Sequence, residues 1–267
     1  MSLPDIFDKV KKGVFHLVFM DATERRLGSG SAFAACGYLI TNHHVFMGPA
    51  GSRVWIRREG DTTTKQGLLL SYNEFSKRLK SGSERNQFDF AILDIPELVN
   101  QKDTFQFSLK TGSDKRIGER VAFLGFPFDH LNLTCHTGII SSFYLSDPAT
   151  VIQLDASVNA SNSGGPLIDQ NTGEAIGIVT RKATGLTKQF DALRETLKKN
   201  ITTMRAASSG VRVSIGGVDQ MGALIASQSQ MLGTLDEIER QANVGIGYAF
   251  SIKHLMNDNI IHSMLHK

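Results

Sequence analysis

Short apolar or alternating runs, broken by glycine and polar clusters, fill the first half of the chain. They are Val14–Met20, Gly30–Ala35, Tyr38–Thr41, Arg53–Arg57, Phe90–Ile95 and Arg120–Gly125. A second series follows at Thr137–Phe143, Val151–Leu154, Gly164–Ile168, Ala175–Thr180 and Gly247–Ile252. Many short strands with turn signals between them predict a sandwich or barrel. The two series predict an all-β protein of two six-stranded antiparallel barrels, over residues 14–115 and 116–255, joined near 105–120. Residues 5–12 read as one or two helical turns, and 253–267 as a C-terminal helix.

One segment breaks this pattern. Leu186, Phe190, Leu193, Leu197, Ile201 and Met204 recur at intervals of three and four, the spacing of one helical face. After the glycine-containing stretch Ser208–Gly217, the same spacing returns at Met221, Leu224, Gln228, Met231, Leu235 and Ile238. Residues 185–242 therefore read as a helical hairpin inserted into the second barrel. Its apolar stripes either pack on each other or dock a protein partner.

Composition narrows the function classes. With 41% hydrophobic and 21% charged residues over 267 positions, the chain has enough apolar material for a folded core. A net charge of +3 with scattered basic residues argues against nucleic acid as a partner, since the densest group, Arg53, Arg57 and Arg58, follows a strand pattern. The start, Met1–Asp8, is acidic where a secretory signal needs a basic and then an apolar stretch. No apolar run approaches the ~20 residues that span a bilayer, so a cytoplasmic protein without membrane contact is expected. The two cysteines, Cys36 and Cys135, are expected to be reduced and buried. Together with His43 and His136 they lack metal-binding spacing, so neither a metal nor a cofactor is expected.

The strongest chemical signal is Ser161-Asn162-Ser163-Gly164-Gly165-Pro166-Leu167. A serine hydroxyl needs a base, an orienting carboxylate and an oxyanion hole before it becomes a useful nucleophile. Glycines after the serine suit a tight turn that presents Oγ and frees backbone N–H groups. Upstream, Leu39-Ile40-Thr41-Asn42-His43-His44-Val45 ends an apolar strand in histidines, and between the two lies Phe88-Asp89-Phe90-Ala91-Ile92-Leu93. Each segment is common alone; the order His, Asp, Ser is not.

With these residues in view the chain resembles the trypsin-like serine peptidases, and within them the protease domain of the HtrA/Deg group. The resemblance rests also on Gly28-Ser29-Gly30-Ser31-Ala32-Phe33, Gly118–Pro127, Gly138-Ile139-Ile140-Ser141 and Gly245–Phe250, and covers residues 14–255 apart from the insert. It implies a chymotrypsin-like fold, and a serine endopeptidase acting on proteins or peptides. The histidine directly before Val45 becomes the base, so His44 rather than His43. Asp89 would orient it, Ser163 would attack, and the N–H groups of Ser161 and Ser163 would form the oxyanion hole. The family usually carries glycine where this chain has Ser161, which bears on whether that hole is preformed. Asn162 stands where zymogens of the wider family have an aspartate, so activation by N-terminal cleavage is not expected.

The same resemblance places Ser157 at the base of the P1 pocket, with Thr180, Arg181 and Lys182 on one wall and Gly245 on the other. An uncharged base implies a medium, uncharged or apolar P1 residue, with an acidic one as the alternative that Lys182 would favour. The insert joins the two walls, which implies a lid or a docking arm for an activator. Only residues 253–267 follow Ile252, so the PDZ domain usual in the group is not expected. Against the peptidase reading stands a catalytically weak, protease-like module that binds a protein partner. A narrow processing enzyme acting on one partner is a third reading.

Overall fold

The computed structural model describes residues 2–146, 148–159, 161–180, 185–208, 214–215, 218–241 and 245–266. In chain order the first elements are α1 (Leu3–Val10), β1 (Val14–Met20), β2 (Arg26–Ala35), β3 (Tyr38–Thr41), α2 (His43–Phe46), β4 (Arg53–Arg57), β5 (Leu68–Ser71), α3 (Tyr72–Ser76), β6 (Leu79–Ser83), β7 (Phe90–Leu93) and α4 (Pro96–Val99). Then come β8 (Arg120–Gly125), β9 (Thr134–Ser146), β10 (Ala149–Asp155), β11 (Pro166–Asp169), β12 (Ala175–Thr180), α5 (Gly185–Ser208), β13 (Ser214–Ile215), β14 (Val218–Asp219), α6 (Gln220–Gln241), β15 (Ile246–Ser251), α7 (Lys253–Met256) and α8 (Asn259–Leu265).

The chain divides into two compact units, residues 1–181 with 245–267, and residues 182–244. In the first unit, the first series of strands forms a seven-stranded antiparallel sheet in the order β5-β4-β1-β2-β3-β7-β6. It has seven strands rather than six because β5 and β6 join its two ends, and β6, Leu-Lys-Ser-Gly-Ser, has little apolar content to announce it. Arg120–Gly125, the last run of the first series, joins the second series as β8 in a closed six-stranded barrel, β10-β15-β12-β11-β8-β9. One core fills the first sheet (Phe15, Leu17, Ala34, Leu39, Ile56, Leu93) and another the barrel (Val121, Phe123, Leu154, Leu167, Val179, Ala249). A third joins them: Phe33 and Ile40 from the sheet, Leu124, Ile168 and Ile178 from the barrel, Ile6 and Val10 from α1, and Leu255 and Ile261 from α7 and α8.

Between sheet and barrel lies a buried polar stack. The His16 ring stacks on Phe126 at 4.7 Å, and the Arg57 guanidinium lies 5.3 Å from the same phenyl ring. Arg57 Nε donates to His16 Nδ1 at 3.3 Å, and its terminal nitrogens bond the carbonyls of Arg58, Asp61 and Leu131. A fully buried guanidinium is tolerated because its donors end on acceptors. Around His16, burial and the nearby Arg57 charge hold the imidazole well below its ordinary pKa.

The C-terminal segment forms two short helices in place of one. Asp258 interrupts it by accepting the Ile260 N–H at 2.9 Å and the Ser81 hydroxyl at 2.5 Å, so the side chain caps α8 and ties it to β6. In the second unit, α5 and α6 form an antiparallel pair around Leu197, Ile201 and Leu235, with the short β13–β14 ladder between them.

His16 makes acid stability measurable. The folded chain keeps it neutral, whereas the unfolded chain protonates it near 6.5, so stability is complete above that pH and declines as pH falls below it. The slope for this one group is about 1.4 kcal/mol per pH unit until the folded imidazole also protonates. Thermal melts from pH 8 to pH 5 should show falling Tm, with a shallower fall in His16→Phe; equal slopes in the two proteins would contradict this.

Candidate active site

β3 ends at Thr41, and α2 turns the chain at once, with Phe46 N donating to Asn42 O at 3.0 Å and Met47 N to His43 O at 2.9 Å. Gly30 on β2 permits the close approach of this turn, since a Cβ there would lie 2.3 Å from a Val45 methyl. The turn points His44 at Asp89. His44 Nδ1 lies 2.7 Å from Asp89 Oδ2, and the His44 backbone N–H donates to Oδ1 at 3.0 Å. A carboxylate at that distance keeps the proton on Nδ1 and leaves Nε2 as the basic nitrogen.

Asp89 is 1% exposed and has φ of 48°, an unusual conformation for a residue with a Cβ. Four contacts hold it there besides the imidazole. Its N–H donates to Glu84 O at 3.1 Å, its carbonyl accepts Asn42 Nδ2 at 2.9 Å, Thr180 Oγ1 donates to Oδ2 at 3.5 Å, and the His44 N–H donates to Oδ1. The buried carboxylate is thus surrounded by donors, as an ionised group away from water requires.

Ser163 sits on a loop stitched to both sheets. Its carbonyl accepts the Ser31 N–H at 2.8 Å, while Gly164 N donates to Val179 O and Val179 N to Gly165 O, each at 2.9 Å. Gly164 has φ of 89°, and a Cβ there would come within 2.1 Å of Ser31 O and 2.3 Å of Thr41 Oγ1, so only glycine fits. Ser163 is 6% exposed. Among the described residues no hydrogen bond joins its hydroxyl to His44; the structure unites His44 with Asp89 and packs Gly164, next to Ser163, against Thr41 and Asn42 at the turn before His44.

Two residues earlier, Ser161 adopts φ of 71°. The left-handed conformation costs a non-glycine residue roughly 1–2 kcal/mol. Two hydrogen bonds hold it: the Ser29 hydroxyl donates to Ser161 Oγ at 2.7 Å, and the Ser31 hydroxyl to Ser161 O at 2.7 Å. At about 0.5–1.5 kcal/mol net for each, they offset a penalty of that size.

Of the residues assigned to the P1 pocket, Ser157 is half-buried in the segment that follows β10, where Ala156 and Val158 press against Gly247 of β15. Gly245, with φ of 75°, opens β15. Thr180 is buried, with its hydroxyl turned to Asp89. Arg181 and Lys182 lie outside the described residues. Local pattern does not announce the contacts of Asn42, Thr180, Ser29 and Ser31; the one available signal is a polar residue such as Ser31, Thr41 or Thr180 within an otherwise apolar strand. Burial pushes the Cys36 and Cys135 thiols up, so both stay protonated. Among the described residues no cluster of His, Cys, Asp or Glu could hold a metal.

The trypsin-like peptidase domain family matches residues 28–178. The chain belongs to this family. Among curated relatives of this peptidase domain, "Protease Do-like 1, chloroplastic" of Arabidopsis thaliana is 31% identical over 216 residues, spanning 77% of this chain and 40% of that protein. A "Probable periplasmic serine protease do/HhoA-like" of Haemophilus influenzae is 37% identical over 164 residues, 58% of this chain and 31% of its relative. The chain therefore spans less than half the length of these relatives. In solved structures, "HtrA-type protease AlgW with tripeptide" aligns with a TM-score of 0.57 at 22% identity, over 98% of this chain and 65% of that one, a likeness of fold. The relatives' names place them in the chloroplast and the periplasm and do not support the cytoplasmic expectation. No helix among the described residues is long and apolar enough to cross a membrane.

The packing of Gly164 yields a direct test. Gly164→Ala adds a Cβ at positive φ against backbone, and strain of that kind is worth about 1–3 kcal/mol. Urea denaturation should show a loss at least that large; wild-type stability would mean that the loop has another conformation in solution.

Proposed function

We propose that the chain is a serine endopeptidase acting on proteins through Ser163, His44 and Asp89. The observation that carries this reading is the 2.7 Å bond from His44 Nδ1 to the buried Asp89 carboxylate, which leaves Nε2 to act as the base, with Gly164, next to Ser163, packed against Thr41 and Asn42 just before His44. Ser163 Oγ attacks the scissile carbonyl carbon and gives its proton to His44 Nε2. The developing oxyanion is met by the N–H groups of Ser161 and Ser163. The imidazolium, steadied by Asp89, returns the proton to the leaving amine, and water then hydrolyses the acyl ester by the same route. Catalytic hydrogen bonds in free enzymes are often long and tighten when substrate binds, which fits the open Ser163–His44 contact. No step calls for a metal or a cofactor.

Ser157 and Gly245 border the P1 pocket in this reading. An uncharged base selects a medium, uncharged or apolar P1 side chain. The second reading, a weakly active module that binds a protein partner, is favoured by the same open contact and by Ser161 in the place of glycine.

A fluorophosphonate probe separates the two. It should label Ser163 in the wild type, not in Ser163→Ala, and slowly in His44→Ala, while Asp89→Asn should lower kcat by about 10⁴. An unlabelled wild-type protein would favour the binding module.

The insert leaves the barrel after β12 and returns at β15, so it joins the two walls of the proposed pocket. On α6, Leu224, Met231 and Ile238 recur every seven residues with 53%, 52% and 49% exposure, and no charged residue occurs from Gln220 to Leu235. This supports a regulatory arm that an activating protein helix covers. Replacing residues 186–242 with a short glycine linker should leave the first unit folded and lower kcat/KM on a protein substrate about tenfold or more, a barrier change of about 1.4 kcal/mol or above. Unchanged kinetics would reject the regulatory role.

A further inference from the structure

We propose that Ser29 is a positioning residue of the oxyanion loop: its hydroxyl holds Ser161 in the left-handed conformation that glycine would adopt freely. The inference rests on the serine peptidase reading above. It begins from a conflict, because Ser161 must supply an N–H whose direction is set by φ, and φ of 71° is disfavoured by its Cβ.

The geometry around Ser161 resolves that conflict. The torsion φ turns the N–H about the N–Cα bond, relative to a frame made of Cα, Cβ and the carbonyl carbon. The carbonyl end of that frame is held by the Ser31 hydroxyl at 2.7 Å, and Ser31 is itself fixed, being fully buried and accepting the Phe126 N–H at 3.1 Å. The side-chain end is held by the Ser29 hydroxyl, which donates to Ser161 Oγ at 2.7 Å across 132 positions of sequence. With both ends pinned, φ is the torsion left to aim the N–H, and a return to negative φ breaks at least one of the two bonds.

Ser29 is well placed for this. Its backbone belongs to the β1–β2 ladder, paired with Val18, so strand pairing fixes the point from which the hydroxyl reaches. It is half-buried and belongs to none of the three cores, so its truncation leaves the packing of the sheet alone. The Ser29–Ser161 bond needs a side chain at 161; with glycine there, neither the strain nor the bond exists. The latch therefore has meaning only in the company of Ser161, and that dependence makes it testable.

The experiment is a double-mutant cycle on the full chain, with fluorophosphonate labelling rates and peptide-substrate kinetics measured for wild type, Ser29→Ala, Ser161→Gly and the double variant. Ser29→Ala should lower kcat and the labelling rate about five- to tenfold, the size expected when one hydrogen bond no longer selects the aligned loop, with KM little changed. Ser29→Thr, which keeps the hydroxyl, should restore most of the rate. Ser161→Gly supplies the second background, and adding Ser29→Ala to it should change nothing relative to that single variant. An equal loss from Ser29→Ala in both backgrounds, or no loss in the wild type, would overturn the latch while leaving the peptidase reading intact. A wild-type protein that is not labelled at Ser163 would overturn the peptidase reading, and the positioning role with it. Melting curves for all variants separate a positioning effect from unfolding, since a loss of rate that follows a loss of folded protein would count against the latch.

Discussion

Ser31 uses every polar group it has where the first sheet meets the second. Its N–H meets Ser163 O, its carbonyl accepts Thr41 Oγ1, and its hydroxyl donates to Ser161 O while accepting Phe126 N. The residue is fully buried, so none of these partners has water to fall back on. Two strands of the sheet, the end of β8 and the loop bearing the proposed nucleophile are thereby held to one point. The apolar core between sheet and barrel supplies the drive to associate, but hydrophobic burial has no direction. The hydrogen bonds of Ser31 provide the register in which the two halves meet.

That register decides what the histidine and the aspartate can do. Asp89 comes from β7's entrance and Asn42 from the turn after β3, both in the sheet, and Thr180, from the end of β12, reaches the carboxylate only because sheet and barrel are aligned to within a hydrogen bond. Strain concentrates here too: Asp89 and Ser161 both lie at positive φ, as non-glycine residues, close to the turn at Gly164. Such conformations persist when the surroundings over-determine them. Around Asp89 five separate contacts do so, and around Ser161 two serine hydroxyls.

Much of this was legible in the residues. Strands rich in Val, Ile, Leu and Phe announced themselves by their pattern, and the insert by its change to helical spacing. The order His, Asp, Ser points to a chemistry by itself. Other features were hidden for physical reasons. β6 joins the sheet through backbone pairing with β7, which its Lys-Ser-Gly-Ser sequence does not advertise. The C-terminal segment has helical composition throughout, but Asp258 gains more by capping and by meeting Ser81 than by staying inside one helix. His43 and His44 are chemically equal in sequence, and what separates them in the structure is the contact of His44 with Asp89. Thr180, read as pocket wall, turns its hydroxyl to the carboxylate, a contact across 91 positions that no local pattern encodes.

β12 and β15 are neighbours in the barrel, with Thr180 opposite Tyr248, so the two stems of the helical insert are already paired before the insert begins. Closing a loop whose ends are held in this way costs little more for sixty residues than for twenty, because the entropy grows only with the logarithm of length. The barrel is therefore indifferent to what it carries between these strands. Evolution can lengthen, shorten or exchange the arm as a cassette, and new control can be grafted onto an old hydrolytic scaffold without redesigning its core.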